Sequence, residues 1–294
     1  MNTININTQL AQRLIAAQFP QWRHLAVRPV VMSGWDNRTF HLGEEMLVRM
    51  PSAEHYASQV EKEHLWLPKL APFLPVRISE PLAMGRPGEG YPWKWSIYRW
   101  LEGHAAVSAP IENINQFAKD LAQFLLALQS IPAMAGPLPG AHCFYRGGDL
   151  SIYDEETRKA ITLLAGKVDV VAATKVWDAA LETTWQKSPV WVHGDVSMGN
   201  LLVHNGRLCA VIDFGQLTLG DPACDLAIAW NFFQGESREV FRNTLALDKN
   251  TWARARGWTL WKALIVVAGI TEANSSESDQ WWRIIHDVLA EHEC

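Results

Sequence analysis

The stretch HGDVSMGN at residues 193–200, followed by VIDFG at residues 211–215, decides how this chain is expected to fold. Two short apolar runs lie between these motifs, and Asn205-Gly206 separates them. Asn and Gly accept the positive φ angles of a two-residue turn, so the sequence predicts a β-hairpin here. That hairpin would bring the two polar motifs side by side at its open end.

Counting back from the turn pairs Asn200 with Val211, and Asp213 lies two residues further on. Asn200 and Asp213 are therefore expected to share one face as diagonal neighbours, about 7–8 Å apart at Cα. Magnesium prefers hard oxygen ligands and usually completes its octahedron with waters and phosphate oxygens. The two side chains are predicted to bind the magnesium of a bound nucleotide, while Asp195 faces an acceptor hydroxyl. The alternative is that both merely cap the end of the hairpin.

These motifs resemble the aminoglycoside phosphotransferase family, which are small-molecule kinases with a protein-kinase-like fold. The resemblance rests on His-Gly-Asp-x4-Asn, on Ile-Asp-Phe-Gly and on GDPACDLA at residues 220–227. It implies that Asp195 is catalytic, that Asn200 and Asp213 bind the metal, and that Asp225 supports the catalytic loop. The fold it implies is α+β and bilobal, with a small mixed β-sheet/helix N-lobe and a larger, mainly helical C-lobe.

The two candidate catalytic residues are His193 and Asp195. Histidine titrates near neutrality, so His193 could act as a general base. The resemblance favours a role in orienting the loop instead. An ordinary aspartate, with a pKa of about 3.9, is a poor base towards an intact alcohol. Because the transition state of phosphoryl transfer is loose, the hydroxyl proton can leave late. Asp195 is therefore expected to orient the hydroxyl and to collect its proton afterwards.

The order of sequence patterns predicts two lobes. Three short β-like runs, of which the first is Val30–Met32, precede a helical stretch at residues 56–70 and an alternating run at residues 93–101. Helical patterns dominate afterwards, beginning with Ile114–Ser130. The predicted bounds are residues 1–101 for an N-terminal nucleotide-binding lobe, 102–294 for a C-terminal catalytic and substrate-binding lobe, and 98–103 for the linker between them.

The expected nucleotide contacts lie in a loop and in the linker. The loop SGWDN at residues 33–37 lies between two β-like runs, where a phosphate-covering loop is expected. Its single glycine suits an ordinary hairpin turn equally well. The linker would read the edge of the base through its backbone, which leaves little trace in side-chain identity. The candidate nucleotide-binding residues of these two segments are Ser33, Gly34, Asn37, Arg99, Trp100 and Leu101.

Arg49 stands where kinases carry the lysine that holds the α- and β-phosphates and pairs with a helix glutamate. Arginine binds phosphate through its fork and stays charged, but it is not interchangeable with lysine. The expected helix partner is Glu63, with Glu61 as the second choice. Either glutamate could instead be a solvated charge on the helix surface.

Composition excludes several classes of protein. The formal net charge of −5 argues against nucleic acid as a partner, because phosphate binding needs concentrated Lys and Arg. The four cysteines are scattered without a Cys-x-x-Cys pair, as expected in a reducing cytoplasm. Residues 1–9 lack the pattern of a secretory signal, and the longest apolar run, residues 263–270, is too short to span a bilayer. A cytoplasmic protein without membrane contact is predicted.

The sequence gives little information about the chemical class of the acceptor. From Gln216 onward there are 11 acidic residues against 7 Lys plus Arg, which suits a polycation but is also typical of solvated helices. An aromatic-rich stretch in the same region could receive an apolar macrolide or simply pack helices. Its members are Trp230, Phe232, Phe233, Trp252, Trp258 and Trp261.

The sequence predicts a magnesium-dependent phosphotransferase that moves the γ-phosphate of ATP or GTP to a hydroxyl of a small molecule. The resemblance makes an aminoglycoside-like antibiotic the first acceptor to consider, although antibiotic resistance does not follow from the fold. Alternatives are a macrolide kinase, a kinase like those of choline, homoserine or sugars, and a non-catalytic, pseudokinase-like nucleotide-binding module. A phosphohydrolase using His193 and the two aspartates is a further alternative. The oligomeric state, monomer or homodimer, stays open.

Overall fold

The computed structural model describes residues 4–30, 36–271 and 278–292. The N-terminal part is built on a five-stranded sheet in the order β1-β2-β3-β6-β5, in which every neighbouring pair is antiparallel. The elements of this part, in chain order, are α1 (Thr8–Gln18), β1 (Val27–Pro29), β2 (Asn37–Leu42), β3 (Met46–Pro51), α2 (Ala57–Leu70), β4 (Arg77–Ile78), β5 (Pro81–Gly85) and β6 (Trp95–Arg99).

The two faces of this sheet have different partners. Side chains alternate between faces along a strand. In β3, Val48 and Met50 are therefore buried in an apolar cluster with Leu14 of α1. Arg49 lies between them in sequence and meets Glu63 of α2. The alternation of β3 thus places one cation on the α2 side of the sheet.

The rest of the chain is mainly helical. Helix α3 has the bounds that the sequence predicted, and its apolar face is buried in the large core together with residues of α2, α5 and α8. The elements are β7 (His104–Ala105), α3 (Ile114–Ser130), α4 (Asp154–Leu163), α5 (Val170–Leu181), β8 (Val190–Val192), β9 (Leu201–His204), β10 (Arg207–Val211), β11 (Thr218–Gly220), α6 (Ile228–Asn231), α7 (Gly235–Leu245), α8 (Lys249–Val267) and α9 (Ser278–His292).

The predicted hairpin is present as β9 and β10, inside a four-stranded sheet in the order β4-β10-β9-β7. Asn205 and Gly206 form its turn with φ angles of 48° and 70°. The predicted pairing of Asn200 with Val211 is wrong by one residue. A β-bulge between Leu208 and Ala210 shifts the register, so that Val211 pairs with Leu201. A bulge adds one unpaired residue to one strand, which simple counting from the turn cannot reveal.

Two sequence predictions concern the segment before β2, namely the position of the first strand and the residues of the phosphate-covering loop. The first strand is Val27–Pro29, earlier than the predicted Val30–Met32, and residues 31–32 lie outside the described part of the chain. The loop candidates Ser33 and Gly34 lie outside it as well. Within residues 4–30, 36–271 and 278–292, no helix combines the length and apolar character needed to cross a membrane.

Candidate active site

The segment that follows β8 is held by one buried carboxylate. Asp225, only 1% exposed, accepts hydrogen bonds from the backbone N–H of His193 at 2.8 Å and of Gly194 at 2.7 Å. Gly194 has a φ of 85°, and a Cβ there would lie 2.7 Å from the carbonyl oxygen of Gln216. The chain therefore needs glycine at this position, and Asp225 fixes the entry to Asp195.

The ring of His193 is fully buried and uses both nitrogens. The backbone N–H of Asp195 donates to Nδ1 at 3.1 Å, so Nε2 carries the proton and donates to the carbonyl of Ile212 at 3.1 Å. Burial lowers the pKa of His193, which keeps the ring neutral. The ring thus ties the segment that carries Asp195 to the end of β10.

Asp195 and Asn200 are in direct contact. The side-chain amide of Asn200 donates to the backbone carbonyl of Asp195 at 2.9 Å and to its Oδ2 at 3.0 Å. Burial, and then the charge of Asp213, raise the pKa of the Asp195 carboxyl. The side-chain nitrogen of Asn200 is used in hydrogen bonds to Asp195, so its Oδ1 is the atom that would bind a cation.

Asn200 and Asp213 are brought to the same end of the hairpin by a different arrangement from the one predicted. The bulge pairs Asn200 with Ile212, whose N–H donates to the Asn200 carbonyl at 2.9 Å. Asp213 follows immediately and has a left-handed φ of 64°, which ends the strand and turns the chain. Asp213 lies close enough for its charge to act on the Asp195 carboxyl. A backbone turn, not strand alternation, brings the three polar residues to one end of the hairpin.

Arg49 joins the sheet of the N-terminal part to this hairpin end. Its Nη1 lies 3.3 Å from Oε1 of Glu63, and its Nη2 donates to Oδ1 of Asp213 at 2.7 Å. The hydroxyl of Tyr98 donates to the same glutamate. Burial opposes ionisation of Arg49, but Asp213 and Glu63 outweigh it and hold the pKa above its ordinary value. For Asp213, Arg49 likewise outweighs burial and lowers the pKa. The predicted pairing of Arg49 with Glu63 is confirmed. Glu61, the second choice, pairs with Lys94 at the surface instead.

The donor set fits magnesium bound together with a nucleotide. In the described ranges, no group of three or more His, Cys, Asp or Glu side chains could hold a metal ion. The oxygens of Asn200 and Asp213 are hard ligands, as Mg²⁺ prefers. Two protein ligands leave the remaining positions to phosphate oxygens and water, which is how Mg²⁺ is usually held at nucleotide sites.

Asp36 is a member of the site that sequence reasoning missed. Its carboxylate forms side-chain hydrogen bonds with Gln59 and Tyr56. Burial raises its pKa, and the charges of Asp213 and Asp195 raise it further. The signal was present in the loop SGWDN, where Asp36 is the acidic residue. Its long-range neighbours, however, come from two other parts of the chain.

The remaining nucleotide candidates are partly engaged within the protein. Asn37 is 7% exposed and pairs with Pro51 at the start of β2. In the linker, the backbone N–H of Arg99 donates to the backbone carbonyl of Glu80 at 2.9 Å, and that of Trp100 donates to the backbone carbonyl of Glu45 at 2.7 Å. Leu101 is 6% exposed and lies in a small apolar cluster with Leu202 and Ala210.

Residues 27–258 match the model of the phosphotransferase enzyme family. The chain belongs to this family. An aminoglycoside 3'-phosphotransferase from Escherichia coli is 38% identical over 60 residues, which are 20% of this chain and 22% of that protein. The match thus spans about a fifth of the curated relative.

Two solved structures resemble this chain along nearly its whole length. The GDP and kanamycin complex of APH(2")-IIia is 17% identical, with a TM-score of 0.72 and coverage of 96% of this chain and 98% of that chain. A macrolide 2'-phosphotransferase from Brachybacterium faecium is 18% identical, with a TM-score of 0.60 and coverage of 95% and 97%. Likeness at such identities shows the fold, and it confirms the predicted α+β kinase-like architecture.

Proposed function

We propose that this protein is a magnesium-dependent phosphotransferase that moves the γ-phosphate of ATP or GTP to a hydroxyl of a small molecule. The observation that carries the proposal is the convergence of Asp195, Asn200 and Asp213 at one hairpin end, with Arg49 bound to Asp213. The GDP complex of the structural neighbour named above supports a nucleotide as the phosphate donor.

On the nucleotide side, Arg49 binds the phosphates and Glu63 holds its guanidinium in place. Asn200 Oδ1 and the carboxylate of Asp213 would hold Mg²⁺. A metal held there would supply positive charge to the phosphate oxygens as negative charge develops on them. The nucleotide candidates Ser33, Gly34, Asn37, Arg99, Trp100 and Leu101 belong to the same proposal, as do an N-terminal lobe of residues 1–101 and a C-terminal lobe of residues 102–294.

On the acceptor side, Asp195 orients the attacking hydroxyl. The acceptor oxygen forms a bond to the γ-phosphorus, the bond from phosphorus to the leaving nucleoside diphosphate breaks, and the hydroxyl proton passes to Asp195. The raised pKa of Asp195 makes it a better proton acceptor than an exposed aspartate. His193 and Asp225 are positioning residues, because their bonds end on the backbone of the catalytic segment.

Two acceptor classes follow from the neighbours, whose names include an aminoglycoside complex and a macrolide enzyme. The direct test is a screen of hydroxyl compounds, among them aminoglycosides, macrolides, amino alcohols, hydroxy acids and sugar phosphates, for nucleotide consumption in the presence of Mg²⁺. Stimulated consumption with a phosphorylated product is the expected result. Tight Mg–ATP binding without transfer to any hydroxyl compound would instead support a non-catalytic nucleotide-binding module.

Replacing Glu63 by Gln is expected to weaken Mg–ATP binding by about tenfold. The variant removes the charge that holds Arg49, and hydrogen bonds to charged groups contribute on the order of 1.5–3 kcal/mol. Isothermal titration calorimetry measures the change. Glu61→Gln is the matched control, because Glu61 pairs with Lys94 at the surface. Equal affinities of the two variants would remove Glu63 from the nucleotide site.

A further inference from the structure

A second cation, Arg146, lies on a wall of aromatic rings near the catalytic segment. It belongs to the connection between α3 and α4, residues 131–153. Its guanidinium carbon is 5.0 Å from the ring centroids of both Trp258 and Trp261, which are residues of α8. The ring of Tyr153 stacks on Trp261 at 4.0 Å. Cation–π contacts with both tryptophan rings hold the guanidinium in one place, and its N–H groups remain hydrogen-bond donors.

Gln216 connects Arg146 to the catalytic segment. Arg146 Nε donates to Gln216 Oε1 at 3.4 Å. The Cβ of Gln216 lies 2.9 Å from where a side chain would begin at Gly194, directly before Asp195. The positive charges of Arg146 and Lys262 both act on Asp195. The α8 side of Asp195 is therefore cationic, whereas Arg49 approaches from the N-terminal sheet.

The charge of Arg146 lacks a close acidic partner. Among residues 4–30, 36–271 and 278–292, no carboxylate forms an ion pair with its guanidinium within 4.0 Å. Glu156 stands on the same wall, but it accepts the indole N–H of Trp261 at 2.7 Å. The buried indole N–H of Trp258 donates to no other described residue. A buried donor without a partner is rare and calls for a bound water or ligand.

The connection that carries Arg146 is anchored on both sides. Lys62 of α2 donates to Nδ1 of His142 at 3.1 Å, and burial lowers the pKa of this lysine to about 8. The Tyr153 hydroxyl donates to the carbonyl of Phe144 at 2.6 Å. These contacts bracket Arg146, so its position is fixed before any acceptor binds.

We propose that the acceptor is an alcohol that also carries an anionic group, a carboxylate or a phosphate, which Arg146 binds while the hydroxyl lies at Asp195. The inference rests on the proposed phosphotransferase function and names the substrate class of the same site. A guanidinium pairs with carboxylate or phosphate through two parallel hydrogen bonds. A polycationic aminoglycoside would instead meet two like charges at this wall, which weakens its binding.

The test compares matched alcohols with the full-length protein and Mg–ATP. Hydroxy acids, their primary amides and amino alcohols of the same chain length form the carboxylate arm, and sugar phosphates with the free sugars form the phosphate arm. Product formation is measured for the wild type, Arg146→Gln, Arg146→Lys and the exposed control Arg23→Gln. In the wild type, the anionic member of at least one arm is expected to have a kcat/KM about tenfold above its neutral partner.

The variants separate binding of the acceptor from an effect on the phosphoryl group. Arg146→Gln is expected to raise the KM of the anionic acceptor by about tenfold relative to the KM of its neutral partner. Arg146→Lys should recover part of that loss, and Arg23→Gln should behave as the wild type. An equal change in KM for the anionic acceptor and its neutral partner overturns the inference.

Preferred transfer to aminoglycosides, amino alcohols or neutral alcohols also overturns the inference and leaves the phosphotransferase proposal standing. If no alcohol of any class is phosphorylated while Mg–ATP still binds, both proposals fail together. The two failures are therefore distinguishable in one set of measurements.

Discussion

Asp195→Asn is expected to lower the rate of phosphoryl transfer by about 10²–10⁴-fold while leaving the affinity for Mg–ATP within about twofold. Asparagine keeps the size of the side chain and an oxygen for the Asn200 amide, which lies 3.0 Å from Asp195 Oδ2. It cannot take the hydroxyl proton. Single-turnover transfer and equilibrium nucleotide binding, measured on the same preparation, separate the two effects.

The control for this variant is Asp178→Asn. Asp178 pairs with Arg158 on the surface of α5, where both side chains are about half exposed. It has the same chemical change and should leave transfer unaltered. Undiminished transfer by Asp195→Asn would show that another group handles the hydroxyl, whereas loss of nucleotide binding would show that the side chain is needed for assembly of the site.

Asp221→Ala is expected to lower the free energy of unfolding by about 3–5 kcal/mol, the usual effect of removing one partner from a buried ion pair. Arg254 and Asp221 form two hydrogen bonds, at 2.6 and 3.3 Å, and their side chains are 5% and 6% exposed. Asp221 also accepts the N–H of Ala223 at 3.1 Å at the start of the next helical turn. Urea unfolding measures the loss.

Burial raises the pKa of Asp221 and outweighs the effect of Arg254, so this pair carries a large desolvation cost. The double variant Asp221→Asn with Arg254→Met should therefore be less destabilised than the sum of the two single variants. Asp178→Asn, whose ion pair is exposed, is expected to change stability by about 0–1 kcal/mol. A loss as small as this for Asp221→Ala would contradict the structural role of the pair.

Local signals were sufficient to predict much of this fold. Helix α3 begins and ends where the apolar periodicity of the sequence does, because its buried residues recur at the spacing of one helix face. The hairpin turn at Asn205-Gly206 follows from the φ preferences of those residues. The pairing of Arg49 with Glu63 could also be predicted, since a strand and the following helix place the two side chains where kinases carry a lysine and its glutamate partner.

Of the features that sequence reasoning missed, one is a local irregularity of a strand and two depend on contacts between distant segments. The bulge in β10 leaves no clear trace in the hairpin sequence, yet it decides how Asn200 and Asp213 approach each other. Asp36 enters the site only because α2 packs beside it. The guanidinium of Arg146 is held by aromatic rings of α8, which lie more than 100 positions later in the chain. No short window of sequence contains such a neighbourhood.

Asp213 and Asn200 are proposed to hold the Mg²⁺ of a bound nucleotide, and a titration of ATP binding with Mg²⁺ tests this role without any acceptor. ATP affinity, measured by calorimetry at increasing Mg²⁺, should rise steeply for the wild type. For Asp213→Ala the Mg²⁺ concentration at half-maximal effect should increase by about tenfold or more, equivalent to about 1.4 kcal/mol. Superimposable Mg²⁺ titrations of the wild type and Asp213→Ala would contradict the account.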